Sequence, residues 1–486
     1  MSEILKLKPE SIWKYFHEIT QIPRPSKKEE RIIQYLLDFA KAHNLEADKD
    51  AVGNVIIRKS ATKGMENKKT VILQSHTDMV CEKNNDTVHD FDNDPIKTRI
   101  EGEWVKATGT TLGGDDGIGI AASLAVLAAN DLEHGPIECF FTADEETGMT
   151  GAFGLQPGFL KGEILVNLDS EDEGELFIGC AGGMDTTAEF TYQKEKVPAG
   201  YYACKLTVSG LNGGHSGDEI DKGLGNSNKI LNRFLALMSD KTDLRLNEMN
   251  GGNLRNAIPR EAWAIICVPN SDKETLRKEL NIFAAKVQAE LAVTEKNLKL
   301  DLDTVQTPDY VIDKETQNKL INGLYACPHG VIAMSQAIKG LVETSTNLAS
   351  IKYKGDNKIV VCTSQRSSID SALKDVANMV ASVFKLAGAT YEHSDGYPGW
   401  TPNLDSDILK VTESAYERLF NTKPSVRAIH AGLECGLFLT KYPKLDMVSF
   451  GPTIKGAHSP DERMNIPTVQ KFWDLLVEVL KNVSNK

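Results

Sequence analysis

Three short apolar segments of this 486-residue chain each run into an acid or a histidine. They are VILQSHTD at 71–78, IECFFTADEE at 137–146 and EILVNLDSED at 163–172. The polar residues at their ends are His76, Asp78, Asp144, Glu145, Glu146 and Asp169. In an open α/β sheet, ligands bind just beyond the carboxyl ends of the strands. Because so many carboxylates at one edge would repel one another, the pattern predicts a metal site.

Length and composition limit the classes of protein to consider. A chain of 486 residues is too long for one ordinary core, so we expect at least two domains. The net charge of −13 argues against nucleic acid or an anionic membrane as a partner. The N-terminal residues do not resemble a signal peptide, and the eight cysteines form no C-x-x-C pair. These features predict a cytoplasmic protein with reduced thiols.

Strand-like and helix-like segments alternate at both ends of the chain. This alternation predicts an α/β domain with a mixed, largely parallel sheet flanked by helices, made from 1–185 and 396–486. Its helices include an apolar, alanine-rich one at 117–129 and an amphipathic one at 469–483. The intervening residues, 186–395, are predicted to form an inserted α+β domain.

The predicted insertion contains a weak internal repeat. The order strand, helix, strand, strand, helix occurs first at 202–208, 226–238, 244–248, 263–268 and 273–291. It occurs again at 298–302, 314–324, 342–353, 358–363 and 368–386, with the turn KGDN between its last two strands. We therefore expect an inserted domain built of two similar β-α-β-β-α halves.

A glycine-rich turn in TGTTLGGDDGIGIA carries Asp115 and Asp116. Such turns before helices often bind phosphate. Two carboxylates would repel phosphate, and the lysine and hydroxyl pair of a P-loop is missing. A metal-bridging aspartate on this turn fits better.

Neighbouring acids and histidines can have different roles in a metal site. His76 and Asp78 face the same side of an extended chain, so the histidine can bind a metal while the carboxylate orients its imidazole ring. The adjacent side chains of Glu145 and Glu146 must diverge, which lets one bind metal and the other act as a general base. A solvated acidic loop would explain the Glu pair alone, but an apolar strand delivers it. His458, in GPTIKGAHSPDE, is the second candidate imidazole; such a set suits Zn²⁺ or a similar ion.

These motifs together resemble a known family. The strings are QSHTDMV, GTTLGGDDGIG, FTADEETG, NLDSEDEGELFIGCAGG, NAIPRE, HAGLECG and GAHSPDER. They are similar to the di-zinc exopeptidases related to carboxypeptidase G and peptidase T, and most similar to the aminoacyl-histidine (Xaa-His, carnosine-type) dipeptidase branch. The resemblance covers essentially the whole chain. It implies hydrolysis of Xaa-His dipeptides such as β-Ala-His with two divalent ions, Zn²⁺ being preferred over Mn²⁺ or Co²⁺.

The resemblance also assigns roles by motif. The positions that match metal ligands are His76, Asp115, Glu146, Asp169 and His458. His76 and Asp169 would hold one ion, Glu146 and His458 the other, and Asp115 would bridge them. Relatives differ at the position of Asp116, which leaves open whether Asp115 or Asp116 bridges. Glu145 would be the general base, and Asp78 would support His76.

The inserted domain resembles the family's lid, or dimerisation, domain. The resemblance implies that His215, in GLNGGHSGDEID, stabilises the oxyanion. It places Asn256, Arg366, His430 and Glu434 at the substrate, where an arginine fork suits a carboxylate. A homodimer is expected, and whether the site is completed by the same chain or by a second subunit stays open. The alternative activity is that of an amidase or deacylase of N-acyl amino acids, because one metal core can serve many substrates.

Overall fold

The computed structural model describes residues 2–355 and 357–486, which form two compact units. The first unit contains the described residues up to 179 together with 400–428 and 433–486. The second, called the inserted unit below, contains the described residues of 180–399 together with 429–432. His430 therefore belongs to the inserted unit, although it follows the insertion in sequence.

Helices and strands alternate along much of the chain. The α-helices are α1 Glu10–Thr20, α2 Glu30–Ala42, α3 Gly114–Ala128, α4 Glu145–Gly148, α5 Thr150–Gly154, α6 Ser227–Lys241, α7 Lys273–Glu290, α8 Lys314–Ala326, α9 Asp370–Leu386, α10 Asp407–Phe420, α11 Cys435–Lys441 and α12 Ile466–Asn482. The strands are β1 Glu46–Lys49, β2 Val55–Lys59, β3 Val71–His76, β4 Thr98–Glu101, β5 Trp104–Ala107, β6 Ile137–Thr142, β7 Ile164–Asn167, β8 Glu175–Cys180, β9 Gly182–Thr191, β10 Lys194–Glu195, β11 Tyr201–Ser209, β12 Gly214–His215, β13 Arg245–Gly251, β14 Ala257–Ile258, β15 Ala262–Pro269, β16 Lys299–Thr304, β17 Val311–Ile312, β18 Gly330–Met334, β19 Val342–Lys354, β20 Lys358–Ser367, β21 Thr390–His393, β22 Ser425–Ile429, β23 Asp446–Ser449, β24 Ile454–Lys455 and β25 Arg463–Asn465.

The first unit is built on a mixed sheet in the order β1-β2-β6-β3-β7-β23-β8-β22. Its centre is parallel, because β3 pairs in parallel with both β6 and β7, and β23 pairs in parallel with β7. Every residue of β3 and β6 is buried, as expected for parallel strands covered on both faces. The predicted mixed α/β sheet is confirmed. A smaller sheet, β24-β25-β5-β4, lies in the same unit.

Helices α3 and α12 cover apolar surface of the first unit. All residues of α3 from Asp116 to Leu127 are buried, which explains why its sequence is apolar on every side. Helix α12 instead buries one stripe, which includes Val469, Phe472 and Leu476. The first helix was predicted from its apolar, alanine-rich run and the second from its amphipathic pattern, and their bounds differ from the prediction by a few residues.

The inserted unit contains one large sheet in the order β16-β11-β15-β13-β19-β20-β9-β21, with β18 also paired to β19. It consists of two four-stranded halves that meet where β13 pairs with β19 in antiparallel fashion, at Gly251 and Ile351. One half is β16-β11-β15-β13 with α6 and α7, and the other is β21-β9-β20-β19 with α8 and α9. The two halves thus carry corresponding strands in mirrored order, as two-fold related copies would.

One part of the predicted repeat is wrong. The segment at 298–302 was expected to be the first strand of the second half, but the strand Lys299–Thr304 pairs with β11 at the edge of the first half. The second half instead takes its strand from Gly182–Thr191, which pairs with β20. The whole first half is therefore inserted between the first strand and first helix of the second half. The predicted KGDN turn at 354–357 includes position 356, which lies outside the described residues.

Within the described residues, no helix is both long enough and apolar enough to span a bilayer.

Candidate metal centre

Three parallel strands deliver the candidate ligands to one edge of the first unit's sheet. Strand β3 ends at His76, and β6, which ends opposite it at Thr142, leads into the acids at 144–146. On the other side of β3, β7 ends at Asn167, two residues before Asp169. Because the strands run in the same direction, their carboxyl ends meet.

Asp115 lies between the two histidines. Its Oδ1 atom is 2.9 Å from His76 Nε2, and its Oδ2 atom is 3.2 Å from His458 Nε2. Asp169 Oδ1 lies 3.3 Å from the same His76 nitrogen, and Glu146 Oε2 lies 3.1 Å from the same His458 nitrogen. Two three-residue groups therefore share Asp115, each with ligand atoms within 4.8 Å of one another.

The turn before α3 separates the roles of its two aspartates. Gly113 has φ +69°, where a side chain is disfavoured, and a Cβ there would lie 2.7 Å from Arg24 Nη2. Asp115 has the extended angles φ −79° and ψ 113°, so it projects from the helix start. Asp116 is buried, and its Oδ1 atom accepts the Gly119 amide at 3.0 Å. Neither three-residue group that contains Asp115 includes Asp116.

Asp78 joins the first two strand ends. Its Oδ1 atom lies 3.2 Å from His76 Nδ1, which leaves His76 Nε2 facing Asp115. Its two oxygens also accept the backbone amides of Glu145 at 3.0 Å and Glu146 at 3.2 Å. Burial disfavours the charged carboxylate, but the hydrogen bonds from His76 and neighbouring groups lower the pKa of Asp78 to about 2. Asp78 thus orients the imidazole and fixes the start of the segment that carries both glutamates.

Glu145 begins the short helix α4 beside the candidate ligands. Its carboxylate can come within 4.8 Å of ligand atoms of His76 and Glu146. Burial, together with the charges of Asp169 and Glu434, raises the pKa of Glu145 well above its usual value. A carboxyl group with a raised pKa is suited to accept and return a proton near neutral pH.

The donor set fits divalent cations. Without them, burial and neighbouring carboxylates raise the pKa of Asp169 to about 7, and the surrounding acids raise the pKa of His458 to about 11. Glu146 Oε1 is buried and has no hydrogen-bond partner among the described residues. Zinc bonds of about 2.0–2.2 Å at tetrahedral angles separate ligand atoms by roughly 3.3–3.6 Å. The observed spacings of 2.9–3.3 Å are close to that range.

A second acidic group has a structural explanation. Glu29, Asp78 and Asp144 also approach within 4.8 Å of one another, and all three are buried. Asp144 accepts the hydroxyls of Thr147 and Thr150, and Glu29 Oε1 accepts the Asp144 amide at 2.8 Å. Asp144, to which the sequence assigned no role, therefore holds the turn after β6 through two threonine hydroxyls.

Three charged residues around this centre were not predicted from the sequence. Arg24 is 2% exposed and donates to the carbonyls of Thr77, Asp78 and Gly113. Glu462 is also 2% exposed and accepts amides of the Asp115 turn. Burial and the charge of Asp115 raise the pKa of Glu171 to about 8. Glu171 and Glu462 lie in the quoted motifs, but neither motif indicates that the side chain is at least partly buried or, for Glu462, which amides it binds.

Glu434 lies in a buried polar row beneath the ligands. Its Oε2 atom accepts from Gln74 Nε2 and Thr142 Oγ1, both at 2.7 Å. The row continues across the sheet, because Asn167 Nδ2 donates to Gln74 Oε1 at 2.5 Å and Ser449 donates to Asn167. Gln74 lies two residues before His76 on the same face of β3, and Asn167, the last residue of β7, lies two residues before Asp169. Glu434 Oε1 has no hydrogen-bond partner among the described residues.

The inserted unit gathers the other predicted residues. Asp218 Oδ2 lies 3.3 Å from His215 Nδ1, and this hydrogen bond, together with the nearby Arg366 guanidinium, lowers the pKa of Asp218 despite its burial. A Cβ on the neighbouring Gly217 would lie 2.3 Å from the His430 carbonyl, so glycine permits this close approach.

Hydrogen bonds hold the remaining residues of this cluster. The Asn256 carbonyl accepts the Ser216 amide at 2.8 Å, beside His215. Arg366 is buried and donates through Nη1 to Tyr397 Oη at 3.2 Å. Its Nε has no partner among the described residues, so a donor remains for a ligand. His430 Nε2 lies 2.8 Å from Ser345 Oγ.

Known proteins resemble this chain over its whole length. It is 50% identical over 486 residues to cytosol non-specific dipeptidase of Escherichia coli (strain K12), covering all of both chains. The crystal structure of aminoacylhistidine dipeptidase from Vibrio alginolyticus matches with a TM-score of 0.92 and 49% identity, covering 100% of this chain and 99% of that one. Aminopeptidase PepT from Bacillus cereus ATCC 10987 shares the fold, with a TM-score of 0.57, 15% identity and 98% of each chain covered.

A family model matches most of the chain. The matched residues, 72–482, include His76 near their start and His458 near their end. Together with the full-length relatives, this match shows what the motifs implied: the chain belongs to peptidase family M20/M25/M40.

Proposed function

We propose that this protein is a metal-dependent dipeptidase that hydrolyses Xaa-His dipeptides, including β-Ala-His, and other short dipeptides. The observation that carries the proposal is Asp115, which presents one oxygen to each of two histidine–carboxylate groups. Relatives at 49% and 50% identity are named as dipeptidases, one of them as an aminoacylhistidine dipeptidase.

We infer two divalent ions, with Zn²⁺ as the first candidate and Mn²⁺ or Co²⁺ as alternatives. Asp115 is the bridging ligand in this proposal. His76 and Asp169 complete one group, and Glu146 and His458 complete the other. Bound ions of this kind polarise a carbonyl oxygen and lower the pKa of water at the site. Nitrogen and oxygen donors without thiolates suit all three metals, so donor chemistry alone does not choose among them.

Glu145 is the proposed general base. Its carboxylate takes a proton from the attacking water and returns it to the nitrogen of the leaving amino acid. Asp78 keeps Nε2 of His76 directed toward Asp115 and places the Glu145 backbone. One proton then serves both steps, so catalysis needs no second base. His215, by the family resemblance, stabilises the oxyanion that forms during the attack.

Substrate binding is assigned to Asn256, Arg366, His430 and Glu434. Arg366 carries the clearest chemistry, because its buried guanidinium keeps a donor for a carboxylate. This donor would bind the C-terminal carboxylate of the dipeptide, which distinguishes an exopeptidase from an enzyme that cleaves within a chain. For Glu434, whose Oε2 is engaged within the sheet, Oε1 is the atom available to a ligand.

We also propose a cytoplasmic homodimer in which each chain completes its own site. The location follows the name of the Escherichia coli relative, which is a cytosol enzyme. Completion within one chain is supported by the two lid halves joined in a single sheet, because the second half can take the place of a neighbour's lid. The dimer itself rests on the family resemblance.

A substrate panel tests the proposal and its alternative. The purified protein would be stripped of metal, reloaded with Zn²⁺, Mn²⁺ or Co²⁺, and assayed on β-Ala-His, Gly-His, Gly-Leu and N-acetyl-histidine. We expect metal-dependent cleavage of the dipeptides, with the histidine dipeptides preferred. Cleavage of N-acetyl-histidine alone would favour an amidase or deacylase, and no dipeptide cleavage with any metal would refute the proposal.

A further inference from the structure

Glu462 holds the turn that carries Asp115. Its Oε2 atom accepts the amides of Leu112 at 2.7 Å and Gly113 at 3.0 Å. Its Oε1 atom accepts the Gly114 amide at 2.7 Å, and the Asp115 amide lies 3.4 Å away. We propose that Glu462 is a positioning residue of the metal centre, which sets the affinity of the group formed by Asp115, Glu146 and His458.

A carboxylate is the side chain that this turn requires. Four consecutive amides converge on one point, and Glu462 is only 2% exposed, so bulk water is a poor substitute. An ionised carboxylate has only acceptors and can take several N–H donors at once. A glutamine would present its own N–H₂ to one pair of amides, leaving donors facing donors. The turn would then lose hydrogen bonds at the residues that precede the bridging aspartate.

The same residue connects the two sequence segments of this group. Glu462 follows His458 by four residues, in the loop between β24 and β25, and its amide donates to Ser459 at 3.0 Å. Asp115 and His458 are 343 residues apart in the chain, yet their side chains must be about 3 Å apart to share an ion. By binding the Asp115 turn, Glu462 fixes the His458 loop against it. Neither ligand could then move without breaking these hydrogen bonds.

Arg24 complements Glu462 from the other side of the turn. Its Nη2 atom donates to the Gly113 carbonyl at 2.6 Å, while Glu462 accepts the Gly113 amide. Its Nη1 atom donates to the carbonyls of Thr77 and Asp78, next to the end of β3. Arg24 therefore ties the turn to the strand of the first group, and Glu462 ties it to the loop of the second. This division predicts that Glu462 acts mainly on the second group.

Glu138 provides a matched control. It is also 2% exposed, and its Oε2 atom accepts two successive amides, those of Lys161 at 2.8 Å and Gly162 at 2.9 Å. It lies near the start of β6, whereas the candidate ligands lie beyond the end of that strand. Its Oε1 atom also accepts from Arg58 Nε at 2.9 Å, so Glu138→Gln should disturb the fold at least as much as Glu462→Gln without reaching the metal centre.

The test compares wild type, Glu462→Gln and Glu138→Gln by metal binding. Each full-length protein would be stripped of metal and titrated with Zn²⁺ against a chromophoric chelator. For Glu462→Gln we expect one of the two ions, the one held by Asp115, Glu146 and His458, to lose about 10- to 100-fold in affinity, the usual effect of losing an outer hydrogen-bonding partner. The ion held by His76, Asp115 and Asp169 should lose less affinity. Glu138→Gln should bind both ions as wild type does.

Hydrogen exchange of the metal-free proteins gives a readout that is independent of activity. Glu462→Gln should accelerate exchange of the amides at 112–115 while leaving the central strands protected. Unchanged Zn²⁺ affinity for Glu462→Gln, or an equal loss in Glu138→Gln, would overturn the inference. If Glu462→Gln does not fold, Glu462→Asp is used instead, because it keeps the charge but shortens the side chain. This variant must show the same faster amide exchange at 112–115 and the same loss of affinity for the ion held by Asp115, Glu146 and His458. Failure of this variant to fold would also overturn the inference, because the role would then be structural.

The inference rests on the proposed two-ion centre, and the two can fail separately. Wild-type protein that binds fewer than two ions would contradict the proposed function. Wild-type protein that binds two ions, with Glu462→Gln binding them equally well, would contradict only the role of Glu462.

Discussion

The Nδ1 atom of His76 lies 3.2 Å from Oδ1 of Asp78, and the same carboxylate accepts the amides of Glu145 and Glu146. One buried side chain therefore supports a candidate ligand on β3 and the segment after β6. This relationship makes Asp78 a link between metal binding and the placement of the base.

Replacing Asp78 by Asn should weaken metal binding and turnover together. Asn keeps the shape but has a single acceptor oxygen for three donors, so either the His76 ring or the glutamate segment loses its support. We expect a loss of about 10- to 100-fold in Zn²⁺ affinity, measured by chelator competition. Asp50→Asn is the control, because Asp50 accepts the amides of Val52 and Asn54 in a turn after β1. Equal effects from both variants would remove the special role of Asp78.

Substitutions of the adjacent Glu145 and Glu146 should affect turnover and metal content differently. Glu145→Gln removes the base but no proposed ligand, so the protein should retain two ions and lose nearly all turnover. Glu146→Gln removes a ligand, so bound metal should fall to about one ion per chain. Metal content by mass spectrometry and dipeptide hydrolysis would be measured on both. Near-normal activity of Glu145→Gln would exclude it as the base.

Arg366→Met should raise KM for dipeptides by about 10- to 100-fold, because a hydrogen bond to a charged group contributes roughly 1.5–3 kcal/mol. The same substitution should have little effect on the corresponding dipeptide amides, which lack the C-terminal carboxylate. Arg255→Met is the control, since Arg255 is an exposed residue of the same unit paired with Asp185. A similar loss for acid and amide substrates would show that Arg366 has another role.

Mixing two inactive variants tests which chain completes the site. If each chain supplies its own His215, Glu145→Gln and His215→Asn proteins should stay inactive after they are unfolded, mixed and refolded together. Dilution of the wild type until it is monomeric, verified by analytical ultracentrifugation, should likewise preserve turnover. Recovery of activity in the mixture would instead show that His215 acts on the partner subunit's substrate.

One buried histidine, His430, and one half-buried histidine, His329, should each contribute less to stability in acid. Burial lowers the pKa of His329 to about 4, and burial with the nearby Arg366 lowers that of His430 to about 4. The unfolded chain, with a histidine pKa near 6.5, then binds more protons than the folded chain between about pH 6.5 and 4. The contribution of these two histidines to the unfolding free energy therefore falls as the pH falls through this window, by on the order of 3 kcal/mol for His329.

Urea unfolding of the metal-free protein at several pH values measures this slope. His329→Asn removes one titrating group, so the unfolding free energy of the wild type relative to this variant should fall as the pH is lowered through this window. A slope that is unchanged in His329→Asn would show that His329 does not bind a proton on unfolding in this range.

Much of the first unit was predictable because its signals are local. Apolar runs ending at His76 and near Asp169 identify buried strands, and parallel strands necessarily bring their carboxyl ends to one edge. The adjacent position of Glu145 and Glu146 already requires their side chains to diverge. The doubled order of elements in the insertion was also visible, since helices and strands are specified mainly by short-range periodicity.

The sequence by itself determined the types of element, the donor chemistry and the family. Only the tertiary structure decided which distant groups meet: Glu462 with the amides before Asp115, Arg24 with the carbonyls around β3, and Gly182–Thr191 with the second half of the inserted sheet. The reason is physical. Backbone amides and carbonyls are present at nearly every residue, so a sequence pattern cannot show which of them a buried charge will bind. Similarly, strand pairing depends on contacts between segments that the chain brings together only when it folds.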